Sequence, residues 1–279
     1  MKLQTPVTDI PCRAGISYDD KILMLGSCFS DNIGAQLRDL GFNVCVNPFG
    51  TLYNPASVLA AVRRLSSGTP FTEEDCVEIG AGDGRICSFS HHTSFAKASV
   101  AEFIENANAR LDEACEFFRG CNKVIITLGT AWCYRHLERG HIVSNCLKRH
   151  PKEFERELLS VDETATALNE IMKLCPGRDF IFTVSPIRHF KDGAHGNQIS
   201  KSTLLLGINN VDADYFPSYE IVMDELRDYR FYAEDMCHPT LQTVNYIRER
   251  FLEWALPAAE KDRLTENIRA LKHSRHIAG

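Results

Sequence analysis

Four short apolar runs, at 21–26, 42–46, 123–128 and 179–184, alternate with segments of helical periodicity, and no other feature restricts the fold as strongly. Runs of this length without polar alternation belong to strands covered on both faces, as in parallel sheets between helical layers. The first, Lys21-Ile-Leu-Met-Leu-Gly26, stops abruptly at Gly26-Ser27-Cys28. Ser30 and Asp31 can then cap a helix on which Ile33, Leu37 and Leu40 recur at helical spacing, and Gly41 stops it before the second run. This strand, helix, strand order predicts a βαβ unit with a right-handed crossover. Further helices are expected at about 55–65, 100–118, 151–174, 200–208, 222–229 and 239–254, with Pro55 and Pro239 each suited to a first helical turn. Between 66 and 98, two β-prone stretches flank Gly80-Ala-Gly-Asp-Gly84 and predict a hairpin insertion. The whole reads as an α/β chain, a three-layer α/β/α sandwich with a mostly parallel central sheet, in a single domain over 1–279. In such sheets the functional site lies outside the carboxyl ends of the strands.

Composition narrows the function classes. A 279-residue chain with 44% hydrophobic residues can bury a substantial core. A net charge of -6 supplies no basic footprint for nucleic acid or an anionic membrane. The N-terminal segment has no apolar signal-peptide region and no stretch approaches a membrane span, so a cytoplasmic location is expected. Eleven cysteines are scattered, odd in number and often within apolar segments, which favours reduced, buried thiols. No Cys-x-x-Cys pair occurs, so a structural zinc site is not expected, nor any other metal or cofactor.

Acyl transfer by serine needs a nucleophile, a base, a carboxylate that orients the base, and donors for the oxyanion. Ser27 stands where a buried strand meets a helix start, which suits a nucleophile and equally suits a helix cap. Near the other end, Asp235-Met-Cys-His238 precedes Pro239. An Asp three residues before a His can bend back to accept from Nδ1–H, leaving Nε2 for a serine; an exposed acidic loop is the plainer alternative. Cys28 is a weaker nucleophile candidate, because adjacent side chains at a strand end diverge. Gly80-x-Gly-x-Gly84 lacks the strand-to-helix context and lysine of a phosphate loop, and no Gly-x-Ser-x-Gly elbow is present.

The combination of Gly-Ser after the first strand with Asp-x-x-His-Pro before the final helix resembles the SGNH hydrolase superfamily. More closely, Gly26-Ser-Cys-Phe-Ser30 with Asp31-Asn-Ile-Gly34 looks like the motif that names the GSCFA family. The likeness continues through Asn47-Pro-Phe-Gly-Thr-Leu-Tyr-Asn-Pro55, Leu128-Gly-Thr-Ala-Trp132, Ser185-Pro-Ile-Arg-His189, Tyr215-Phe-Pro-Ser-Tyr-Glu220 and Asp224 to Tyr232. It implies an SGNH hydrolase-like (flavodoxin-like) fold and a serine esterase or O-acyltransferase acting on short acyl esters, carbohydrate esters among them. Ser27 would be the nucleophile, Asp235 the orienting carboxylate and His238 the base. The oxyanion donors would be the Ser27 N–H, a glycine after the second strand, taken as Gly50, and an asparagine after the third. At that third place the chain has Gly129-Thr-Ala-Trp132, so Thr130 or Asn47 is expected to substitute. Losing such a donor outright costs on the order of 3 kcal/mol of transition-state stabilisation.

Arg188 and His189 follow the fourth apolar run and are candidates for holding an anionic or polar substrate group. His92 is a further candidate on the substrate side, with an exposed hairpin margin as its alternative. Asn197 and Lys201 fall in the following polar loop and are further candidates for the site, with a solvated loop as the equal alternative, and Asp224 to Arg230 reads as an exposed, salt-bridged helix face. The competing functional class is a ligand- or carbohydrate-binding module without catalysis on the same scaffold.

Overall fold

Residues 4–277 are described by the computed structural model. Its central sheet contains five parallel strands: β1 (Lys21–Gly26), β2 (Asn43–Val46), β3 (Lys123–Leu128), β4 (Asp179–Val184) and β5 (Asp214–Phe216). Their spatial order is β5-β4-β3-β1-β2, the flavodoxin-like arrangement, in which the chain reverses direction of travel between β1 and β3. The helices are α1 (Cys28–Asp39), α2 (Pro55–Ser67), α3 (Val100–Gly120), α4 (Val161–Leu174), α5 (Gly193–Asn209), α6 (Leu241–Ala255) and α7 (Lys261–Ile277).

Alternation along β1 divides the core into two layers. Leu23 and Leu25 join α2, α3, α4 and α5 on one face, while Ile22 and Met24 join α1 and α6 on the other. Both faces are thus apolar, which is why β1 to β4 read as largely hydrophobic runs. Together these elements form a three-layer α/β/α sandwich. Among the described residues no helix is long and apolar enough to cross a membrane.

Several expected boundaries are corrected. The 151–174 helix begins only at Val161, where Ser160 and Glu163 form a capping box, the Ser160 N–H donating to Glu163 Oε2 at 2.7 Å. Phe154–Leu158 is instead a strand paired antiparallel with Trp132–His136, which also pairs with Ile142–Val143 in a small separate sheet. The 66–98 segment does carry a hairpin, with Cys76–Glu78 antiparallel to Ile86–Ser88. The helix at 200–208 starts earlier, at Gly193, and Pro239 lies before α6, whose cap is Thr240. The 222–229 helix is a short turn, Ser218–Glu220, that widens through Ile221–Leu226 and stops at Arg227, φ 46°. Its Glu225 is buried against Arg250 and Tyr246, so that face is only partly exposed.

Candidate active site

Ser27 is built into the sheet. Gly26 has φ 141°, and a Cβ there would lie 2.2 Å from the Thr127 carbonyl oxygen, so only glycine lets the end of β1 run this close to β3. The Ser27 N–H extends that ladder, donating to Thr127 O at 3.2 Å. Its hydroxyl caps α1 by accepting from Phe29 N–H at 3.3 Å, and the residue is 1% exposed. The site therefore starts at the reversal point between β1 and β3, where α/β sheets of this topology open a crevice.

Asp235 and His238 lie on an exposed loop that is organised locally. Asp235 Oδ1 accepts from the N–H groups of Cys237 and His238, both at 2.9 Å, and Oδ2 lies 2.5 Å from His238 Nδ1. Met236, φ 56°, makes the tight reversal. Donation from the backbone and imidazole of His238, then from Cys237 N–H, holds the Asp235 carboxyl down at about 2. An ionised carboxylate beside Nδ1 is the arrangement that favours the Nδ1–H tautomer of a histidine.

The strand ends tie this loop to the sheet edge. Arg188, after β4, donates its N–H to Cys237 O and Nη1–H to Met236 O, each at 3.1 Å. Lys201, on α5 and 1% exposed, donates from Nζ to Gly129 O at 2.6 Å and Ser185 O at 2.7 Å, joining the ends of β3 and β4. Burial pushes this amine down to about 7. Ser27 and His238 thus occupy one edge of the sheet, though no hydrogen bond joins them directly in this structure.

The expected oxyanion donors are engaged elsewhere. Gly50 N–H donates to Asn47 O at 2.8 Å, and its φ of 88° and the 2.3 Å from a would-be Cβ to His92 Cβ explain the glycine by backbone shape and close approach. Asn47 bridges the site, accepting from Gly26 N–H at 2.8 Å and donating to Asp31 Oδ1 at 2.6 Å. Thr130 N–H, like Gly129 N–H, donates to Tyr53 O, at 2.9 and 2.8 Å. The Thr130 hydroxyl sits 2.9 Å from Ser200 Oγ and accepts from Trp132 N–H at 3.0 Å.

Of the substrate candidates, His189 donates its N–H to Asn197 Oδ1 at 2.9 Å and places Nε2 3.5 Å from a would-be Gly129 Cβ. Burial, then the Lys201 charge, push its imidazole down to about 4, so it is neutral near pH 7. His92 lies at the β2 end of the edge, its Nδ1 3.0 Å from Ser94 Oγ. Its neighbour His91 is core, packed among Phe49, Phe71, Phe95 and Phe103. Burial raises the Cys28 thiol, which keeps it protonated. Sequence reasoning undervalued Lys201 and Asn197, which are buried on α5 rather than solvated in a loop. It overlooked Tyr53, although this residue lies inside the Asn47 to Pro55 motif. Among the described residues no three His, Cys, Asp or Glu side chains converge as a metal site requires.

A parallel α/β/α sandwich with a serine at its reversal point and an Asp–His pair at the same edge defines the structural class. Within it, the sequence model of the GSCFA family matches residues 21–251, and the chain belongs to that family. A search of curated proteins found no match.

Proposed function

We propose that this chain is a serine ester hydrolase or O-acyltransferase of the SGNH type, acting on short acyl esters of small molecules or carbohydrate. The observation that carries this reading is the Asp235–His238 pair, whose 2.5 Å contact leaves Nε2 as the free base on the sheet edge that holds Ser27. In the first half-reaction Ser27 Oγ attacks the ester carbonyl while His238 Nε2 takes its proton. Collapse of the tetrahedral intermediate breaks the ester C–O bond, and His238 returns the proton to the departing alcohol. In the second, water or a sugar hydroxyl attacks the acyl-enzyme, its proton passing through His238 to Ser27 Oγ. No cofactor enters these steps, and no nucleic acid or membrane partner is part of the reading.

To react, the Ser27 hydroxyl must rotate from its cap on Phe29 N–H and the His238 loop must close on it. The Ser27 N–H, whose 3.2 Å bond to Thr127 O is long, is the first oxyanion donor to be redirected. The engagement of all four expected donors within the protein favours a second reading, a ligand-binding module on the same scaffold. Turnover of acetyl esters, 4-nitrophenyl acetate and acetylated sugars, decides between them. Hydrolysis or transfer that disappears in Ser27→Ala supports the enzyme; no turnover above that variant's background supports the binding module.

A further inference from the structure

A cavity of about 250 Å³ lies beside the Arg188 loop, and Ser27 is not among the residues that line it. This is below the ~300–1,000 Å³ typical of sites for drug-sized ligands and suits one ring-sized group. Arg188 is half-buried in its wall, with its guanidinium 4.2 Å from the Phe190 ring centroid, 5.4 Å from that of Tyr232 and 5.5 Å from that of Tyr229. Among the described residues only Nη1 has a protein acceptor, Met236 O at 3.1 Å, and no carboxylate forms an ion pair with this arginine. A half-buried guanidinium stacked among aromatic rings, with an open fork, is suited to receive a planar anion.

The other polar walls agree. Asn197 Oδ1 is taken by His189 N–H at 2.9 Å and Gln198 Oε1 by Tyr219 O–H at 2.8 Å, so both amides have only their N–H groups left for a guest. Asp228, the acid on the rim, is occupied by Arg230 N–H at 2.8 Å and its guanidinium at 3.6 Å. Donors therefore outnumber free acceptors, between aromatic rings that suit the face of a sugar.

We propose that this cavity binds a ring-bearing carboxylate of the sugar-acid class, gripped bidentately by Arg188, as the acidic part of the substrate. Arg188 N–H also holds Cys237 O, so the guest is anchored one residue from His238. Its role as a substrate subsite rests on the acyl-transfer reading; the ligand site itself does not.

Calorimetric titration of the intact chain with glucuronate, glucose and glucose 6-phosphate tests it. Glucuronate is expected to bind at least about tenfold more tightly than glucose, a difference that Arg188→Gln removes and Arg188→Lys only partly retains. Tyr229→Ala, at a largely exposed ring, guards against misfolding and is expected to weaken both sugars alike. Equal binding of glucuronate and glucose, tighter binding of glucose 6-phosphate, or no binding overturns the proposal, as does unchanged glucuronate affinity in Arg188→Gln. Fluorophosphonate labelling of Ser27 separates the two readings. Labelling without glucuronate binding overturns the subsite alone, whereas binding without labelling overturns its role in acyl transfer.

Discussion

Ser27 is 1% exposed and held by the sheet itself, whereas the His238 side chain is 54% exposed and held by a carboxylate three residues away. The first depends on Gly26, Thr127, Asn47 and Phe29, which come from three parts of the chain. The second depends on Asp235 and on one strand-end loop carrying Arg188. A serine placed by the whole fold and an imidazole placed by a local turn are expected to respond differently to mutation. On the proposed reading, changes to the backbone that positions Ser27 should act through stability, and changes around His238 through activity with the fold intact.

The sharpest separation is expected from Asp235→Asn. The amide oxygen can still cap Cys237 and His238 N–H, but the amide group no longer fixes the proton on Nδ1. Ester turnover should fall on the order of 10⁴-fold, while thermal unfolding stays unchanged. A comparable loss of stability would show that the loop carries fold energy and break the contrast. On the sheet side, Gly26→Ala should destabilise by about 3 kcal/mol in denaturant titration, because it combines strained φ with a clash against Thr127 O. A mild effect would mean that the β1–β3 approach is looser than its geometry implies.

Lys201 joins the two regions, and its test has a pH signature. In the folded chain this amine titrates near 7, against an ordinary value near 10.5, so between those values the unfolded chain holds a proton that the folded one lacks. Stability from this group therefore rises with pH across that window, by up to about 1.4 kcal/mol per unit, and is lowest below pH 7. Lys201→Met should abolish that slope relative to the native chain, while leaving the Gly129 and Ser185 carbonyls unpaired at about 2 kcal/mol. Parallel pH profiles for the two chains would contradict this. The smallest effect is expected from Cys28→Ala: a protonated neighbour of Ser27 should alter ester turnover by less than about twofold.

What was legible in the sequence follows the range of the forces involved. Strands β1 to β4 announce themselves because burial on both faces demands continuous apolar residues. Strand β5 does not, since it is three residues long and opens with Asp214, a buried acid held by Arg13. Phe154-Glu-Arg-Glu-Leu158 carries enough charge to pass for a helix start, and only pairing with Trp132–His136 makes it a strand. The Asp235–His238 turn was readable because the bonds from Asp235 to Cys237 and His238 are local. The fate of the Gly50, Asn47 and Thr130 donors was not, because their partners depend on how the loops after β2 and β3 meet. Lys201 was hidden for the same reason: carbonyls from two distant strand ends make its burial tolerable.

The central claim is that Ser27 is a nucleophile activated by the distant Asp235–His238 loop. Fluorophosphonate treatment of the native chain and of His238→Gln, followed by mass mapping of the modified peptide, tests it directly. The account predicts phosphonylation at Ser27 in the native chain and loss of most of it in His238→Gln. An unmodified Ser27 in folded native protein, or equal modification in both chains, would contradict it.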